Sequence, residues 1–236
     1  MELIKPKEEI YSIKKLNDVK KYCHKIDIGS EITCYNITSK QVIKIFDKNI
    51  NPNTKLLLPH NIYGNNTYVF IDKIIKCCNE IVAYTMQFIK GPNLFNIEAT
   101  NLFYNLTYNM LLDYITILLE DSKFEANHGI QVFDCFPSNI ILSPNGFKQI
   151  DCVDFKIKDK DPNIIEKENI HLMCQTIYDY MICPHLSTFI SNHKLKPIDF
   201  TDSPYEFIKE LKKISENYSD TEIITIGDTK KLSRRK

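Results

Sequence analysis

Residues 127–155 constrain this chain more than any other stretch, because they predict a hairpin with polar residues at its open end. Two apolar runs, 140–142 and 147–150, are separated by Ser143-Pro144-Asn145-Gly146. Asn-Gly supplies the positive φ that a tight turn needs, so the two runs are predicted to be short paired strands. A hairpin returns the chain to where it started, and the residues that flank its strands are therefore expected to meet.

Three polar residues lie at these flanks. Asn139 precedes the first strand, Asp151 follows the second, and Asp134 comes five residues before Asn139. The hairpin predicts that Asn139 and Asp151 converge, with Asp134 held nearby by its loop. A hairpin capped by ordinary turn residues is the alternative, because D-x-x-x-x-N is common by chance.

The arrangement resembles the catalytic loop and metal-binding segment of the protein-kinase-like family, where H-R-D-x-x-x-x-N is followed by a short hairpin and D-F-G. The resemblance implies that Asp134 is the catalytic aspartate and that Asn139 and Asp151 hold Mg²⁺. After Asp151 the family's Phe-Gly becomes Cys152-Val153. Asp154 either supplies a further metal ligand or caps the next turn, and the sequence leaves both roles open.

Segments upstream occur in the order that this family has. Residues 25–46 predict two strands around a turn at 38–40, and Val42-Ile43-Lys44 stands where V-A-I-K is usual. The resemblance implies that Lys44 contacts the phosphates of ATP and has a catalytic role. It also places Gly29 and Ser30 in the loop that covers the phosphates, although only one glycine of G-x-G-x-x-G is present.

The next segments complete the predicted sheet and its connection to the rest of the chain. Residues 67–76 and 80–89 have strand composition, which gives an antiparallel sheet of about five strands. Residues 90–94 resemble the family's interlobe linker. The likeness implies that Met86 lies near the adenine, and that the backbone of Gln87, Phe88 and Ile89 is available for its hydrogen bonds.

One departure from the family concerns the partner of Lys44. Where the family has a helix with a glutamate that pairs with this lysine, residues 47–66 are broken by two prolines and a glycine. We therefore expect this helix to be reduced or missing. Lys44 would then be held by Asp151, by Asp72 or by a partner protein.

The remainder of the chain predicts a helical region. Residues 101–125 have a period of 3.6, and residues 170–182 and 204–218 predict two further helices. The last segment, 227–236, is polar and basic, and is expected to be disordered. The predicted buried stripe of the first helix comprises Leu102, Leu106, Met110, Tyr114, Ile117 and Leu118.

Composition excludes some classes of function. Formal net charge is zero, which gives no general attraction to nucleic acid or membrane, and no 18-residue apolar window is present. The start of the chain lacks the apolar run of a signal peptide. We expect a cytoplasmic protein, or one in a host cytosol if it is a secreted effector. The eight cysteines are scattered and predict reduced, mostly buried thiols.

The resemblance implies an α+β, two-lobed protein-kinase-like fold, with a β-sheet lobe over residues 1–90 and a helical lobe over 91–236. The expected function is ATP- and Mg²⁺-dependent phosphoryl transfer to a Ser or Thr hydroxyl of a protein. Two alternatives stay open. One is a pseudokinase that binds a regulatory protein partner, and the other is a small-molecule kinase of the aminoglycoside or choline type.

Overall fold

A computed structural model of the protein describes residues 3–4, 6–28, 32–47, 61–62, 65–219 and 221–233. Strands and helices both contribute, so the fold is α+β. The strands are β1 (Leu3–Ile4), β2 (Lys7–Ile10), β3 (His24–Ile28), β4 (Ile32–Thr38), β5 (Gln41–Phe46), β6 (Asn61–Ile62), β7 (Ile71–Cys77), β8 (Glu80–Gln87), β9 (Ile130–Gln131), β10 (Ile140–Ser143), β11 (Gly146–Gln149) and β12 (Lys156–Ile157). The α-helices are α1 (Ile13–Tyr22), α2 (Leu102–Asn105), α3 (Tyr108–Asn127), α4 (Pro162–Ile177), α5 (Cys183–Asn192), α6 (Pro197–Asp202), α7 (Pro204–Ser219) and α8 (Ile226–Leu232).

Six strands form one sheet in the order β2-β7-β8-β5-β4-β3. Within this sheet, β7, β8, β5, β4 and β3 pair antiparallel with one another, as predicted. The sheet nevertheless is mixed, because β2 pairs parallel with β7 at one edge. The prediction of a purely antiparallel sheet is therefore wrong at that edge. Residues 24–46 also form three strands rather than two.

The two faces of this sheet have different neighbours, because successive side chains of a strand point to opposite faces. Ile43, Ile45 and Ile75 are buried on one face with Val19 of α1. Ser12 caps α1 by accepting a hydrogen bond from the backbone N–H of Lys15. The other face carries a second buried cluster, which includes Val42, Phe46, Tyr84, Met86 and, from beyond the sheet, Val153. Lys44 shares this second face.

Helix α3 is the long helix expected at 101–125, but it is shorter and its buried stripe differs from the prediction. The predicted helix is interrupted between α2 and α3, where Thr107 accepts a hydrogen bond from the backbone N–H of Met110. Of the predicted stripe, Leu106, Tyr114 and Leu118 are buried as expected, whereas Met110 and Leu102 are partly exposed, at 39% and 38%. The fully buried positions include Tyr108, Leu111, Ile115 and Leu118.

In the C-terminal region the structure confirms one predicted helix and differs from two other predictions. Helix α7 matches the predicted amphipathic segment and buries Phe207 and Leu211. Helix α4 begins at Pro162, eight residues before the predicted start, with Asp161 as its cap. The expected disorder of 227–236 is wrong over most of its length, because α8 is capped by Thr225 and buries Thr229 and Leu232. No helix of the described segments is both long and apolar enough to cross a membrane.

Candidate active site

The centre of the site is the carboxylate of Asp151. Its Oδ1 lies 2.8 Å from Nζ of Lys44 and accepts a hydrogen bond of 2.9 Å from the hydroxyl of Tyr84. Lys44 and Tyr84 are paired across the neighbouring strands β5 and β8, so they stand side by side on the same face of the sheet. Asp72, another predicted partner for Lys44, accepts instead from Nε2 of Gln41 at 2.7 Å.

The predicted hairpin brings Asp151 to this face. Strands β10 and β11 pair antiparallel from Ile140 opposite Gln149 to the turn, where Gly146 has a φ of +110°. The backbone N–H of Ile150 donates to the carbonyl of Asn139 at 2.8 Å, which closes the open end of the hairpin. Asp151 itself has a φ of +66°, in the left-handed region that non-glycine residues seldom occupy. The two ends of the hairpin therefore meet, as predicted.

Asp134 and Asn139 form the second half of the site. Nδ2 of Asn139 donates to Oδ2 of Asp134 at 3.0 Å and to its backbone carbonyl at 3.2 Å. The backbone N–H of Asn139 donates to the carbonyl of Phe136 at 2.8 Å, which keeps the loop tight. Asp134 also has a positive φ, +56°. Such strain is retained only where surrounding contacts fix the conformation, and it is frequent at active sites.

The charges of the site act on one another. Burial, together with the negative charges of Asp151 and Asp154, raises the pKa of the Asp134 carboxyl above its ordinary value. The hydrogen bond from Asn139 and the charge of Lys44 act in the opposite direction. Burial and the neighbouring Asp151 also hold the pKa of the Tyr84 hydroxyl well above its ordinary value, so Tyr84 remains a hydrogen-bond donor. Asp134, Asp151, Asp154 and Lys44 therefore lie in one electrostatic cluster.

Two buried amides that the sequence analysis missed hold the loop before Asn139. Gln149 donates through Nε2 to the carbonyl of Phe133 at 2.8 Å and accepts from Sγ of Cys135 at 3.2 Å. Asn169 accepts from the N–H of Val132 at 2.8 Å and donates to the carbonyl of Ile130 at 3.0 Å. Each stands where the period of its element places buried residues, because Gln149 comes two residues after buried Phe147 in β11, and Asn169 lies four residues from both Ile165 and Met173 in α4. A polar residue at such a position is the signal that could have identified them.

The structure describes only some of the residues that were predicted to bind the nucleotide. Gly29 and Ser30 lie outside the described residues. Met86 is buried in the cluster beside Tyr84. The expectation that the Phe88 backbone is available to adenine is wrong for its N–H, which donates to the carbonyl of Lys40 at 2.9 Å.

Gln87 and Ile89 also border a separate cavity. They line a cavity of about 740 Å³ together with Asp72, Asp113 and Lys148. None of the predicted catalytic or metal-binding residues lines this cavity. The adenine contacts of the Gln87 and Ile89 backbones thus stay predictions.

The oxygens available at the site suit Mg²⁺. Asn139 uses its amide nitrogen toward Asp134, which leaves its Oδ1 as an acceptor, and Lys44 and Tyr84 both contact the same oxygen of Asp151. Amide and carboxylate oxygens are the hard ligands that Mg²⁺ takes. Among the described residues no group of three or more His, Cys, Asp or Glu side chains could hold a metal.

Asp154 lies at the end of a short 3₁₀ helix, Cys152–Asp154, which follows Asp151 directly. Together with Asp134 it lines a cavity of about 560 Å³. Its charge reaches both Asp134 and Tyr84. Asp154 is therefore close to the reactive cluster, and its role as a metal ligand stays a prediction.

Comparison with models of known protein families gives no match, and neither does comparison with curated proteins. The site must therefore be interpreted from its own geometry.

Proposed function

We propose that the protein is an ATP- and Mg²⁺-dependent phosphotransferase that acts on a Ser or Thr hydroxyl of a protein, with two kinase-like lobes divided near residue 90. The observation that carries the proposal is the meeting of Lys44, Asp134, Asn139 and Asp151 at one place, although they come from a strand, a loop and both ends of a hairpin. Phosphoryl transfer depends mainly on positioning and charge stabilisation, which such a cluster can supply.

Asp134 is proposed to accept the proton of the attacking hydroxyl. A carboxylate whose pKa is raised toward neutrality is a stronger base than an ordinary one, and the pKa of Asp134 is raised. Its Oδ2 is held by Asn139, so the other oxygen is left to orient the hydroxyl. Asp134 is only half-buried and also lines the 560 Å³ cavity, which gives an acceptor access to it.

Lys44 is proposed to neutralise the phosphates of ATP, and Asn139 and Asp151 to hold Mg²⁺, with Asp154 as a further candidate ligand. When bound, the metal would neutralise charge that develops on the transferred phosphoryl group. The ion pair with Asp151 supports this role for Lys44, because it fixes the ammonium beside the oxygens that would hold the metal. It takes the place of the glutamate expected from the family.

The test is Mg²⁺-dependent ATP binding by calorimetry, followed by transfer of labelled phosphate to a mixed protein substrate. We expect Asp151→Ala to abolish the Mg²⁺-dependent part of ATP binding. Asp134→Asn should retain binding and lose transfer by about two orders of magnitude or more. Equal ATP binding by the wild type and Asp151→Ala would contradict the metal assignment.

A pseudokinase is the second candidate, and one observation favours it. Lys44 and Tyr84 both occupy Oδ1 of Asp151, and Asn139 occupies an oxygen of Asp134, so the polar groups satisfy one another within the protein. A folded protein that binds no ATP at millimolar concentration would support this reading.

The small-molecule kinase alternative is less favoured. Enzymes of the aminoglycoside or choline type usually carry longer helical insertions after the linker. Here only a 3₁₀ helix, Leu94–Thr100, and the four-residue α2 lie between β8 and α3. Transfer of labelled phosphate to aminoglycosides or choline, without transfer to protein, would revive it.

A further inference from the structure

A groove leads away from Asp134 along helix α4. Its near part is the 560 Å³ cavity that Asp134 and Asp154 line, and its far part is a cavity of about 730 Å³. Phe133 and Leu172 line both cavities, so the two lie side by side. The far cavity is lined further by Ile164 and by the N-terminal turns of α4. The groove therefore begins at the proposed base and continues well beyond it.

The walls of this groove expose large apolar side chains. Phe136 is 63% exposed, Ile164 53%, Tyr180 42% and Leu172 37%. Scattered exposed apolar residues are ordinary, but a contiguous set along one groove marks a binding surface. The groove is open because only seven residues, 155–161, separate Asp154 from α4.

Several of the charged groups beside the groove have partners within the protein. Lys160 pairs with Glu168 at 3.0 Å, and Glu168 also accepts from Gln131. Asp161 accepts from the backbone and side chain of Asn163, as the cap of α4. Lys156 lies over the ring of Phe133, 4.8 Å from its centroid. Lys167 also lines the far cavity, so it is the exposed apolar walls that favour an apolar occupant.

We propose that the groove binds an extended segment of the protein substrate, and that a bulky apolar side chain of this segment fills the far cavity. This inference rests on the proposed function, because the acceptor hydroxyl is placed at Asp134. A small acceptor molecule would occupy the near cavity alone, whereas a polypeptide continues from Asp134 into the far one.

Helix α4 sets the distance between the acceptor residue of the substrate and its apolar side chain. Thr176 lines the near cavity and Glu168 lines the far one. The two residues are eight positions apart on α4, which corresponds to about 12 Å at a rise of about 1.5 Å per residue. An extended chain covers that span in about three or four residues. The substrate should therefore carry a Leu, Ile, Met or Phe about three or four positions to one side of the acceptor.

The test uses synthetic peptides with one central serine in an alanine-glycine background, in which a single leucine is moved through every other position. We expect one peptide with leucine three or four positions from the serine to be phosphorylated about tenfold faster than the leucine-free peptide. In Ile164→Ser this ratio should fall to near one. Ile198→Ser is the matched control, because Ile198 is similarly exposed, at 50%, but lies on α6 away from the groove. It should keep the ratio.

Binding of the same fluorescein-labelled peptides, measured by polarisation without ATP, separates this inference from the proposed function. Binding that needs the leucine and Ile164, without any phosphorylation, would support the groove and contradict the phosphotransferase. Phosphorylation with no positional preference, or with a preference that Ile164→Ser leaves intact, would overturn the groove and leave the phosphotransferase standing. Neither binding nor phosphorylation of any peptide would overturn the groove as a peptide site. Ile164→Lys is the second variant, and it should also lose the leucine-dependent binding.

Discussion

Lys44 forms its ion pair with Asp151, at 2.8 Å, across the junction between the sheet and the hairpin. The lysine side chain is only 12% exposed, so the pair is screened less by solvent than a surface pair. Of the partners that the sequence left open, Asp72 lies with Gln41 instead. This ion pair therefore helps to hold the hairpin against the sheet, together with the packing of apolar side chains.

Replacing Tyr84 by Phe removes the second hydrogen bond to Asp151 and keeps the buried ring. We expect Mg²⁺-dependent ATP affinity to fall several-fold, because Asp151 is then oriented by Lys44 alone. The free energy of unfolding should fall by about 1.5–3 kcal/mol, as for a lost hydrogen bond to a charged group. Calorimetry and urea denaturation measure the two effects.

Tyr108→Phe is the control for this prediction. Tyr108 is also buried, and its hydroxyl lies 2.6 Å from that of Thr229, far from Asp151. This variant should lose stability by a comparable amount and keep the wild-type ATP affinity. Equal affinity in both variants would show that Tyr84 does not position Asp151.

Replacing Asn169 by Leu should destabilise the loop that carries Asp134. The substitution leaves the N–H of Val132 and the carbonyl of Ile130 buried without their partner. At roughly 1–3 kcal/mol for an unsatisfied buried group, we expect the free energy of unfolding to fall by about 3 kcal/mol. Asn163→Ala is the control, because Asn163 is exposed on the same helix. Like most surface substitutions, it should lower the free energy of unfolding by no more than about 0.5 kcal/mol. A stability loss in Asn169→Leu no larger than that in Asn163→Ala would contradict the assigned role.

Glu125 makes stability depend on pH. Its side chain is fully buried, and burial raises the pKa of its carboxyl to about 9, with Asp121 adding to the rise. The folded state therefore keeps a proton that the unfolded state loses, and the free energy of unfolding falls as the pH rises from the ordinary glutamate pKa toward 9. The limiting slope is about 1.4 kcal/mol per pH unit. Glu125→Gln should remove this slope, so that the variant gains on the wild type between pH 5 and 9.

Thermal unfolding at several pH values tests this directly. Glu120→Gln is the matched control, because Glu120 is exposed on the same helix. It should leave the pH dependence of the wild type unchanged. A Glu125→Gln variant with the wild-type slope would show that Glu125 is not the group responsible.

The C-terminal helix should contribute to the stability of the whole helical core. Leu232 is 4% exposed, and Thr229 beside it belongs to a buried hydroxyl network with Ser215 and Tyr108. Leu232→Ala should lower the free energy of unfolding by about 2–4 kcal/mol, through lost burial and the cavity that remains. Lys231→Ala, an exposed neighbour, should have little effect. Cooperative loss of near-ultraviolet circular dichroism reports the change, and equal midpoints for both variants would contradict it.

Local patterns predicted the parts of the fold that local chemistry controls. The hairpin at 140–149 follows from two apolar runs and an Asn-Gly turn, and the amphipathic α7 follows from its period. The break before α3 was missed because the apolar pattern continues on both sides of Thr107, the residue that caps α3. The helix at 226–232 was missed for a related reason, since a short polar segment becomes ordered only when its few apolar residues are buried by other helices.

The sequence by itself determined the hairpin, and with it the convergence of Asn139 and Asp151, because a turn fixes the two strands that it joins. Only the tertiary structure decided which carboxylate pairs with Lys44, that Tyr84 shares it, and that Asn169 holds the loop of Asp134. These contacts join residues that are distant in the chain. Their formation depends on how the sheet, the hairpin and α4 pack together, and no local spacing encodes that packing.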